Sequence, residues 1–282
     1  MSTATGSGRT ALTLGARGGD GGRGAAGEHS AEDGGRGAED GGRSAERLPA
    51  NAALRWHAAE PVLRQLRAIR AALGSLGYGL ATRWDRDGAA SHPAEYRLAA
   101  RMTPQRRSDF LVGRRALRRA LADIGMPQSD APILIGSRNQ PRLGGDVTVS
   151  VSHCRGIAVA LARPADGACS VGVDLELAGL PLKAAHLVLT EPERAWLADG
   201  SSAADREYRL LAAFSAKEAA YKALDPILSA GSLRRIHLIP AGSGFVGWPA
   251  SRRDLRLRVS IHPVGTGVLA WTVLRAPRCR TG

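Results

Sequence analysis

The sequence predicts an α+β fold, in which two similar, pseudo-symmetric α/β lobes follow a disordered N-terminal tail. Residues 114–121 (Arg-Arg-Ala-Leu-Arg-Arg-Ala-Leu) align without gaps with residues 217–224 (Lys-Glu-Ala-Ala-Tyr-Lys-Ala-Leu). Upstream of each run, Pro-Ala-Glu at 93–95 is echoed by Glu-Pro-Glu at 191–193. Apolar strand-like segments follow both runs. An internal repeat of this kind predicts two copies of one arrangement packed as a pseudo-dimer, with a ligand cleft between them.

Residues 1–50 are predicted to form the disordered tail. Gly, Ala, Ser, Arg and acidic residues dominate this segment, and Ala-Glu-Asp-Gly-Gly-Arg occurs twice, at 31–36 and 38–43. Such a composition buries too little apolar surface to offset the entropy of ordering the chain. Its longest apolar run is too short for a secretory signal, and no later stretch approaches the length of a membrane span. We therefore expect a cytoplasmic protein without membrane contact.

The remaining chain divides into an N-terminal lobe at 51–165 and a C-terminal lobe at 166–282 that carries the metal site. Apolar periodicity and the breaking residues Gly and Pro place the elements. In the first lobe we expect helices over 61–73, 93–102 and 104–124, and strands over 79–84, 133–135, 148–152 and 157–162. In the second we expect a helix over 214–224 and strands over 235–239, 255–261 and 268–274.

Two acidic residues share one face of a predicted strand in the second lobe. In Val-Gly-Val-Asp-Leu-Glu at 171–176, apolar residues alternate with Gly172, Asp174 and Glu176. Two carboxylates on one face repel each other unless a cation lies between them. In the predicted helix downstream, Glu218 and Lys222 are four residues apart and therefore share a face. Oxygen ligands of this kind suit Mg²⁺, which commonly also binds substrate phosphates.

Each of these motifs also has an ordinary structural explanation. Asp-x-Glu at a strand end is often solvated surface, and Lys-Glu-x-x-x-Lys is often an exposed helix face. The charge distribution is compatible with either reading. The chain has a net charge of +13, and the tail contributes none of the excess, because its six Arg face seven Asp and Glu. The two lobes together therefore carry the basic excess, and so basic a surface should attract anions, whether nucleotides, nucleic acids or acidic proteins.

A third motif, taken with these two, carries a resemblance to a known family. The strand at 147–153 ends in Ser-Val-Ser-His at 150–153; Gly-Val-Asp-Leu-Glu at 172–176 and Phe-Ser-Ala-Lys-Glu-Ala-Ala-Tyr-Lys at 214–222 follow in order. Together they resemble the 4'-phosphopantetheinyl transferases of the surfactin-synthetase and enterobactin-synthase component D type. The resemblance covers about residues 90–275. It implies transfer of phosphopantetheine from coenzyme A to a serine of an acyl or peptidyl carrier protein.

The resemblance also implies roles for the charged residues of the second lobe. Asp174, Glu176 and Glu218 would hold Mg²⁺, for which Mn²⁺ could substitute. Glu218 would act as the general base, and Lys222 would neutralise the leaving 3',5'-ADP, with Lys217 as a helper that also contacts the coenzyme. In the first lobe Arg115 occupies the place of Glu218, so one metal site is expected.

For coenzyme A itself, the resemblance assigns a set of phosphate-binding residues in the first lobe. Arg106 and Arg114 match an arginine pair that holds phosphates of the coenzyme. His153 would bind its 3'-phosphate, with Ser152 placed to assist. The family's turn before the Ser-His strand usually carries Lys or Glu, where this sequence has Gln140, so Arg138 or Arg142 would have to substitute for a lysine.

Three functions remain open from the sequence. The first is the transferase, acting as a monomer on acidic carrier proteins. A catalytically silent relative that only binds coenzyme A or carrier proteins is the second, and the presence of all the carboxylates disfavours it. The third is a basic nucleic-acid-binding protein. The sparse aromatic residues and the acidic residues within the motifs argue against this reading, so no nucleic-acid partner is expected.

Overall fold

The computed structural model describes residues 50–85, 92–126, 131–136, 139–144, 147–165, 169–225 and 231–275 of the 282-residue chain, with side chains from residue 59 onward. The predicted tail lies outside these ranges apart from its last residue, as does Arg138. The described residues all belong to one contact unit, Leu48–Gly282.

Helices and antiparallel strands form a mixed α+β structure. The first half contains α1 (Ala50–Ile69), β1 (Gly77–Thr82), α2 (Pro93–Ala99), α3 (Pro104–Asp123), β2 (Leu134–Ile135), β3 (Pro141–Arg142), β4 (Val147–Cys154) and β5 (Ile157–Pro164). The second half contains β6 (Cys169–Glu176), α4 (Ala185–Val188), α5 (Glu191–Ala198), α6 (Ala203–Leu224), β7 (Ile236–Ala241), β8 (Gly244–Pro249), β9 (Leu257–Val264) and β10 (Gly267–Arg275). None of the described helices is long and apolar enough to span a membrane.

Most predicted elements are present with shifted ends. The largest difference is α1, which begins at Ala50 and runs through Pro61, whereas the sequence predicts a helix from Pro61 onward. Proline inside a helix removes one backbone hydrogen bond, so sequence patterns place a boundary there. α6 is also longer than predicted, because it begins at Ala203. The short elements β3, α4 and α5 and the strand β8 are not predicted at all.

Each half forms a sheet covered by one long helix. The first sheet has the order β1-β5-β4 and packs against α3, whereas the second has the order β6-β10-β9-β8-β7 and packs against α6. Alternation along β5 divides its side chains between two cores. Ala158, Ala160 and Ala162 face α3, while Ile157 and its alternate neighbours enter a second core.

This second core lies between the two sheets and is closed by α1. Its buried side chains come from α1, β1, β5, β6 and β10: Leu63, Leu66, Ile69, Tyr78, Val159, Leu161, Val171, Val173, Leu175 and Leu269. Because Val171, Val173 and Leu175 enter this core, the alternate residues Gly172 and Asp174 of β6 face α6.

Serine hydroxyls connect the two sheets where their edge strands meet. The Oγ of Ser150 in β4 accepts a hydrogen bond from the Val173 N–H at 3.0 Å, and the Oγ of Ser152 accepts one from the Leu175 N–H at 3.2 Å. These hydroxyls satisfy N–H groups of β6 that have no neighbouring strand on that side. The Ser-x-Ser pattern therefore joins the two halves directly beside Asp174.

The two halves repeat one helix-on-strand contact. A Cβ atom added at Gly79 of β1 would lie 1.8 Å from the backbone oxygen of Ala116 in α3. A Cβ atom at Gly172 of β6 would lie 1.9 Å from the backbone oxygen of Ala219 in α6. Ala116 and Ala219 occupy matching positions of the sequence repeat. Both long helices thus approach their sheet closely only because glycine faces them.

A buried glutamate also occupies the same place in each half. Glu95 of α2 accepts hydrogen bonds from Arg118 in α3 and from the Ile133 N–H. Glu193 of α5 forms an ion pair with Lys217 in α6 at 2.6 Å and accepts a hydrogen bond from the Leu238 N–H. Each glutamate therefore ties a short helix to the long helix and to the strand segment after it. The predicted pseudo-symmetry of the two lobes is confirmed by these matching contacts.

The close contact at Gly172 predicts a large effect of one added methyl group. Gly172→Ala should lower the free energy of unfolding by about 3 kcal/mol, because the new Cβ collides with helix backbone, which must shift as a unit. Urea denaturation, monitored by circular dichroism, measures this change in the free energy of unfolding. The matched control is Gly179→Ala, which adds a Cβ in open space and should change stability by less than about 0.5 kcal/mol. Equal effects of the two substitutions would contradict the packing described.

Candidate active site

Four charged side chains meet where the end of β6 lies against α6. Asp174 and Glu176 are alternate residues of β6 and face the helix, while Glu218 and Lys222, four residues apart, share one face of α6. Asp174 is only 3% exposed, and the other three are half-buried. Glu176 experiences the charges of Asp174, Lys222 and Glu218. The structure therefore brings together the four residues that the sequence analysis selects as catalytic or metal-binding.

Asp174 is held on both carboxylate oxygens. Its Oδ1 accepts hydrogen bonds from the Lys222 Nζ at 2.7 Å and from the Ser152 Oγ at 3.0 Å. Its Oδ2 accepts a hydrogen bond from the Ser215 Oγ at 2.9 Å. The ammonium of Lys222 also donates to the Val173 carbonyl oxygen at 3.0 Å. Asp174 is therefore fixed by groups from β4 and from α6.

The site holds more negative charge than its one ammonium can neutralise. Burial lowers the pKa of Lys222, but the carboxylates of Asp174 and Glu218 outweigh it and raise that pKa above its usual value. Burial and the charge of Asp174 raise the pKa of Glu176 to about 8. Burial raises the pKa of Glu218 as well, with Lys222 opposing and Asp174 adding to the shift. Both shifts make ionisation less favourable than for an ordinary glutamate.

The donor set suits a hard divalent cation, although the side chains are not arranged around one. Within the described ranges, no group of three or more His, Cys, Asp or Glu side chains is positioned to hold a metal ion as it stands. The Lys222 ammonium forms an ion pair with Asp174 Oδ1. Carboxylate oxygens are nevertheless the ligands that Mg²⁺ prefers, and a divalent cation would offset the repulsion that raises the pKa of Glu176.

His153 lies at the rim of this cluster, at the end of β4. Its side chain is 49% exposed, and its Nδ1 is 3.9 Å from Asp109 Oδ2. Partial burial lowers the pKa of His153 and the charge of Lys222 adds to the decrease, whereas Asp109 and Asp174 oppose it. Ser152, the residue before it, points inward instead. Its hydroxyl binds Asp174 and the Leu175 N–H, which differs from the phosphate-binding role expected for it.

The two arginines selected in α3 lie in different environments. Arg106 is exposed in the first turn of the helix. Arg114 is 5% exposed; its Nε donates to the Ile133 carbonyl oxygen at 2.5 Å, its Nη2 donates to the Leu134 carbonyl oxygen, and its guanidinium lies over Phe110. Burial lowers the pKa of Arg114 to about 10. Arg114 is thus bound to backbone, contrary to the expected contact with coenzyme phosphates.

Lys217, for which a coenzyme contact is predicted, pairs with groups outside the carboxylate cluster in this structure. Its side chain is fully buried and its Nζ binds Glu193 at 2.6 Å and the Val188 carbonyl oxygen at 3.0 Å. An α-helix has about 3.6 residues per turn, so residues five apart do not share a face, and Lys217 therefore points away from the face that carries Lys222. Burial lowers the pKa of Lys217, with Glu193 acting in the opposite direction.

Two site residues, Ser215 and Asp109, are missed by the sequence analysis. Ser215 lies within the quoted helix motif and three residues before Glu218, so the i,i+3 rule could have placed it on the same face. Asp109 of α3 approaches His153 of β4 within the first half, and these residues are so far apart in sequence that no local pattern indicates the pairing. At the turn before β4, Asn139 has a φ of 64° and the Gly136 N–H binds the Gln140 carbonyl oxygen. Arg142 is exposed there.

Family models match most of the described chain. A model described as the 4'-phosphopantetheinyl transferase N-terminal domain matches residues 94–163. A second, described as the 4'-phosphopantetheinyl transferase superfamily, matches residues 170–263. Together the two models cover more than half of the chain, and their boundary falls between β5 and β6. The second match contains the whole carboxylate cluster.

Curated relatives share the same description. The 4'-phosphopantetheinyl transferase Npt of Nocardia iowensis is 39% identical over 49% of this chain and 60% of its own length. The transferase Svp of Streptomyces mobaraensis is 38% identical over 48% of this chain and 54% of its own length. The transferase PptT of Mycobacterium tuberculosis is 35% identical over 51% of this chain and 62% of its own length. The chain therefore spans somewhat more than half the length of the relatives that it matches.

The raised pKa of Glu176 predicts how stability depends on pH. In the folded protein this pKa is about 8, against an ordinary value of 4.5, so the stabilising contribution is complete below about pH 4.5 and is lost as pH rises through 8. In EDTA, the thermal midpoint should therefore decrease as the pH rises from about 4.5 to about 8. Glu176→Gln, which cannot ionise, should flatten this fall, whereas the exposed-site control Glu207→Gln should not. Identical pH profiles for the unsubstituted protein and Glu176→Gln would refute the assignment.

Proposed function

The chain belongs to the 4'-phosphopantetheinyl transferase superfamily, and we propose that it transfers the 4'-phosphopantetheine group from coenzyme A to a serine of an acyl or peptidyl carrier protein. The proposal rests mainly on one observation: the side chains of Asp174, Glu176, Glu218 and Lys222 lie together in a largely buried cluster, with His153 at its rim. This arrangement offers metal ligands, a base and a cation in one place. The matched relatives, which are 4'-phosphopantetheinyl transferases by name, support the same activity.

Mg²⁺, or Mn²⁺ in its place, is the metal that we propose for the carboxylate cluster. Asp174, Glu176 and Glu218 would hold it, since oxygen ligands with room for water and substrate phosphate suit these ions. When bound, it would neutralise charge on the coenzyme A pyrophosphate. Support comes from the raised pKa values of Glu176 and Glu218: burial is the main cause and the charge of Asp174 adds to it, and a bound cation would favour the ionised forms of both.

Glu218 is the proposed general base. In the reaction, the carrier serine oxygen forms a bond to the β-phosphorus of coenzyme A, the bond from that phosphorus to the bridging oxygen breaks, and 3',5'-ADP leaves. Glu218 would accept the serine proton, directly or through a water molecule. Burial raises the pKa of Glu218, and this shift supports the role because it makes the carboxylate a stronger base than an ordinary glutamate.

Lys222 is the proposed stabiliser of the leaving group. In the described structure its ammonium binds Asp174 Oδ1, and the carboxylates keep it protonated by raising its pKa. A flexible side chain carrying a compact charge can move from the carboxylate to an entering phosphate oxygen. Lys222 would therefore offset the charge of Asp174 before coenzyme A binds and neutralise charge on the leaving oxygen afterwards.

His153 remains the residue that we propose for the 3'-phosphate of coenzyme A, and Arg106 remains one that we propose for the coenzyme's phosphates. The His153 ring is half-exposed beside the cluster, and Arg106 is exposed on α3, so both are accessible to a ligand. Arg114, Ser152 and Lys217 are omitted, because their polar groups bind backbone or carboxylate partners inside the protein. These three residues would instead hold the elements that carry the site.

Electrostatic attraction would favour an acidic carrier protein as the second substrate. The chain carries a net charge of +13, and the Arg excess lies outside the first 50 residues. Oppositely charged surfaces accelerate encounter and orient the partners more than they add to affinity. We therefore expect the apparent Michaelis constant for the carrier protein to rise with salt, as screening weakens this attraction.

Replacement of the base tests the proposal. Glu218→Gln should lower the rate of phosphopantetheine transfer by at least about 10²-fold, because the amide keeps the size of the side chain but accepts no proton. Intact-mass spectrometry of an apo carrier protein, incubated with coenzyme A and Mg²⁺, measures the rate. Glu207→Gln on the exposed face of α6 is the matched control and should retain the full rate.

Each outcome separates the transferase from a silent relative. A fast Glu218→Gln variant would overturn the role of Glu218 as base. If the unsubstituted protein binds coenzyme A in calorimetry but modifies none of a panel of fatty-acid, polyketide and peptide carrier proteins, the silent relative is the better description. Loss of transfer in Glu218→Gln with unchanged thermal stability would support the proposal.

A further inference from the structure

We propose that Ser215 is a positioning residue for Asp174, a role that rests on the proposed metal-dependent function. Its Oγ donates to Asp174 Oδ2 at 2.9 Å, and its side chain is fully buried. No other described hydrogen bond reaches Oδ2. Ser215 lies on α6, three residues before Glu218. Its hydroxyl therefore connects Asp174 directly to the helix that supplies Glu218, which is proposed both as a metal ligand and as the base.

The two oxygens of Asp174 are held from opposite sides. Ser152 of β4 donates to Oδ1 and accepts from the Leu175 N–H, and it is fixed at 7% exposure. Ser215 of α6 holds Oδ2. One serine thus comes from the first sheet and the other from the helix of the second half. The carboxylate plane is set by both, and it can turn only if one of these hydrogen bonds breaks.

The physical reason for two hydroxyl donors is the burial of Asp174. An ionised carboxylate that is 3% exposed loses most of its contact with water, and donors must replace that solvation. Lys222 supplies part of it, but in the proposed reaction its ammonium moves to the coenzyme. The serine hydroxyls carry no charge and need not move, so they can keep Asp174 oriented when Lys222 leaves. Partners of this kind around metal ligands commonly change metal affinity by about 10- to 100-fold.

Ser215→Ala should therefore weaken metal binding without unfolding the protein. The measurement uses the full chain and Mn²⁺ alone, titrated and followed by the electron paramagnetic resonance signal of the free ion. Ser215→Ala should raise the dissociation constant for Mn²⁺ by about 10- to 100-fold. Ser215→Thr, which retains a hydroxyl, should restore most of the affinity.

Ser170→Ala is the matched structural control. Ser170 of β6 is 4% exposed, and its Oγ donates to the Ala223 carbonyl oxygen of α6, so it bridges the same strand and helix without touching Asp174. Both alanine variants should lose thermal stability to a similar extent. Only Ser215→Ala should lose Mn²⁺ affinity, which a merely structural role would leave unchanged.

The outcomes distinguish this inference from the function on which it rests. If Asp174→Asn loses Mn²⁺ but Ser215→Ala binds it like the unsubstituted protein, the positioning role is overturned and the metal site stands. Equal losses in Ser215→Ala and Ser170→Ala would also overturn it, because the effect would then be general. If the unsubstituted protein binds Mn²⁺ no better than Asp174→Asn, both the metal site and the positioning role fail.

Discussion

The buried excess of negative charge between β6 and α6 is the constraint on which the rest of the site depends. Asp174, Glu176 and Glu218 share one ammonium, that of Lys222, and burial together with the charge of Asp174 raises the pKa of Glu176 to about 8. Such a cluster costs free energy unless donors hold it and a cation relieves it. Two serine hydroxyls hold Asp174, and glycine at position 172 lets α6 approach closely enough for its side chains to reach the strand.

The two halves show how one scaffold supports a site in only one of its copies. Arg119 in α3 donates to the Leu80 carbonyl oxygen of β1, as Lys222 in α6 donates to the Val173 carbonyl oxygen of β6. Beside it, Arg115 stands where the second half has Glu218. The matched glycine contacts preserve the packing of helix on strand, while the charged positions differ. Close packing therefore accounts for the shared architecture, and a few polar positions account for the difference in chemistry.

Local periodicity was sufficient to predict the centre of the site. The alternation in β6 places Asp174 and Glu176 on one face, and the four-residue spacing in α6 places Glu218 beside Lys222; both follow from geometry within ten residues. The repeat likewise predicts two similar lobes. Contacts with partners distant in sequence could not be predicted in this way. Lys217 binds Glu193 of α5, and Arg114 binds carbonyl groups beyond the end of α3, and no local pattern reveals either contact. α1 extends through Pro61 because tertiary packing overrides a local breaker.

The most direct test of the account is the mass of an apo carrier protein incubated with this protein and coenzyme A, with Mg²⁺ or with EDTA. The account predicts that the carrier gains the mass of one phosphopantetheine group in Mg²⁺ and gains nothing in EDTA, since EDTA removes the metal ion that we propose for the carboxylates. An equal gain in EDTA would contradict the metal-dependent site. No gain on any carrier in the panel would contradict the transferase itself.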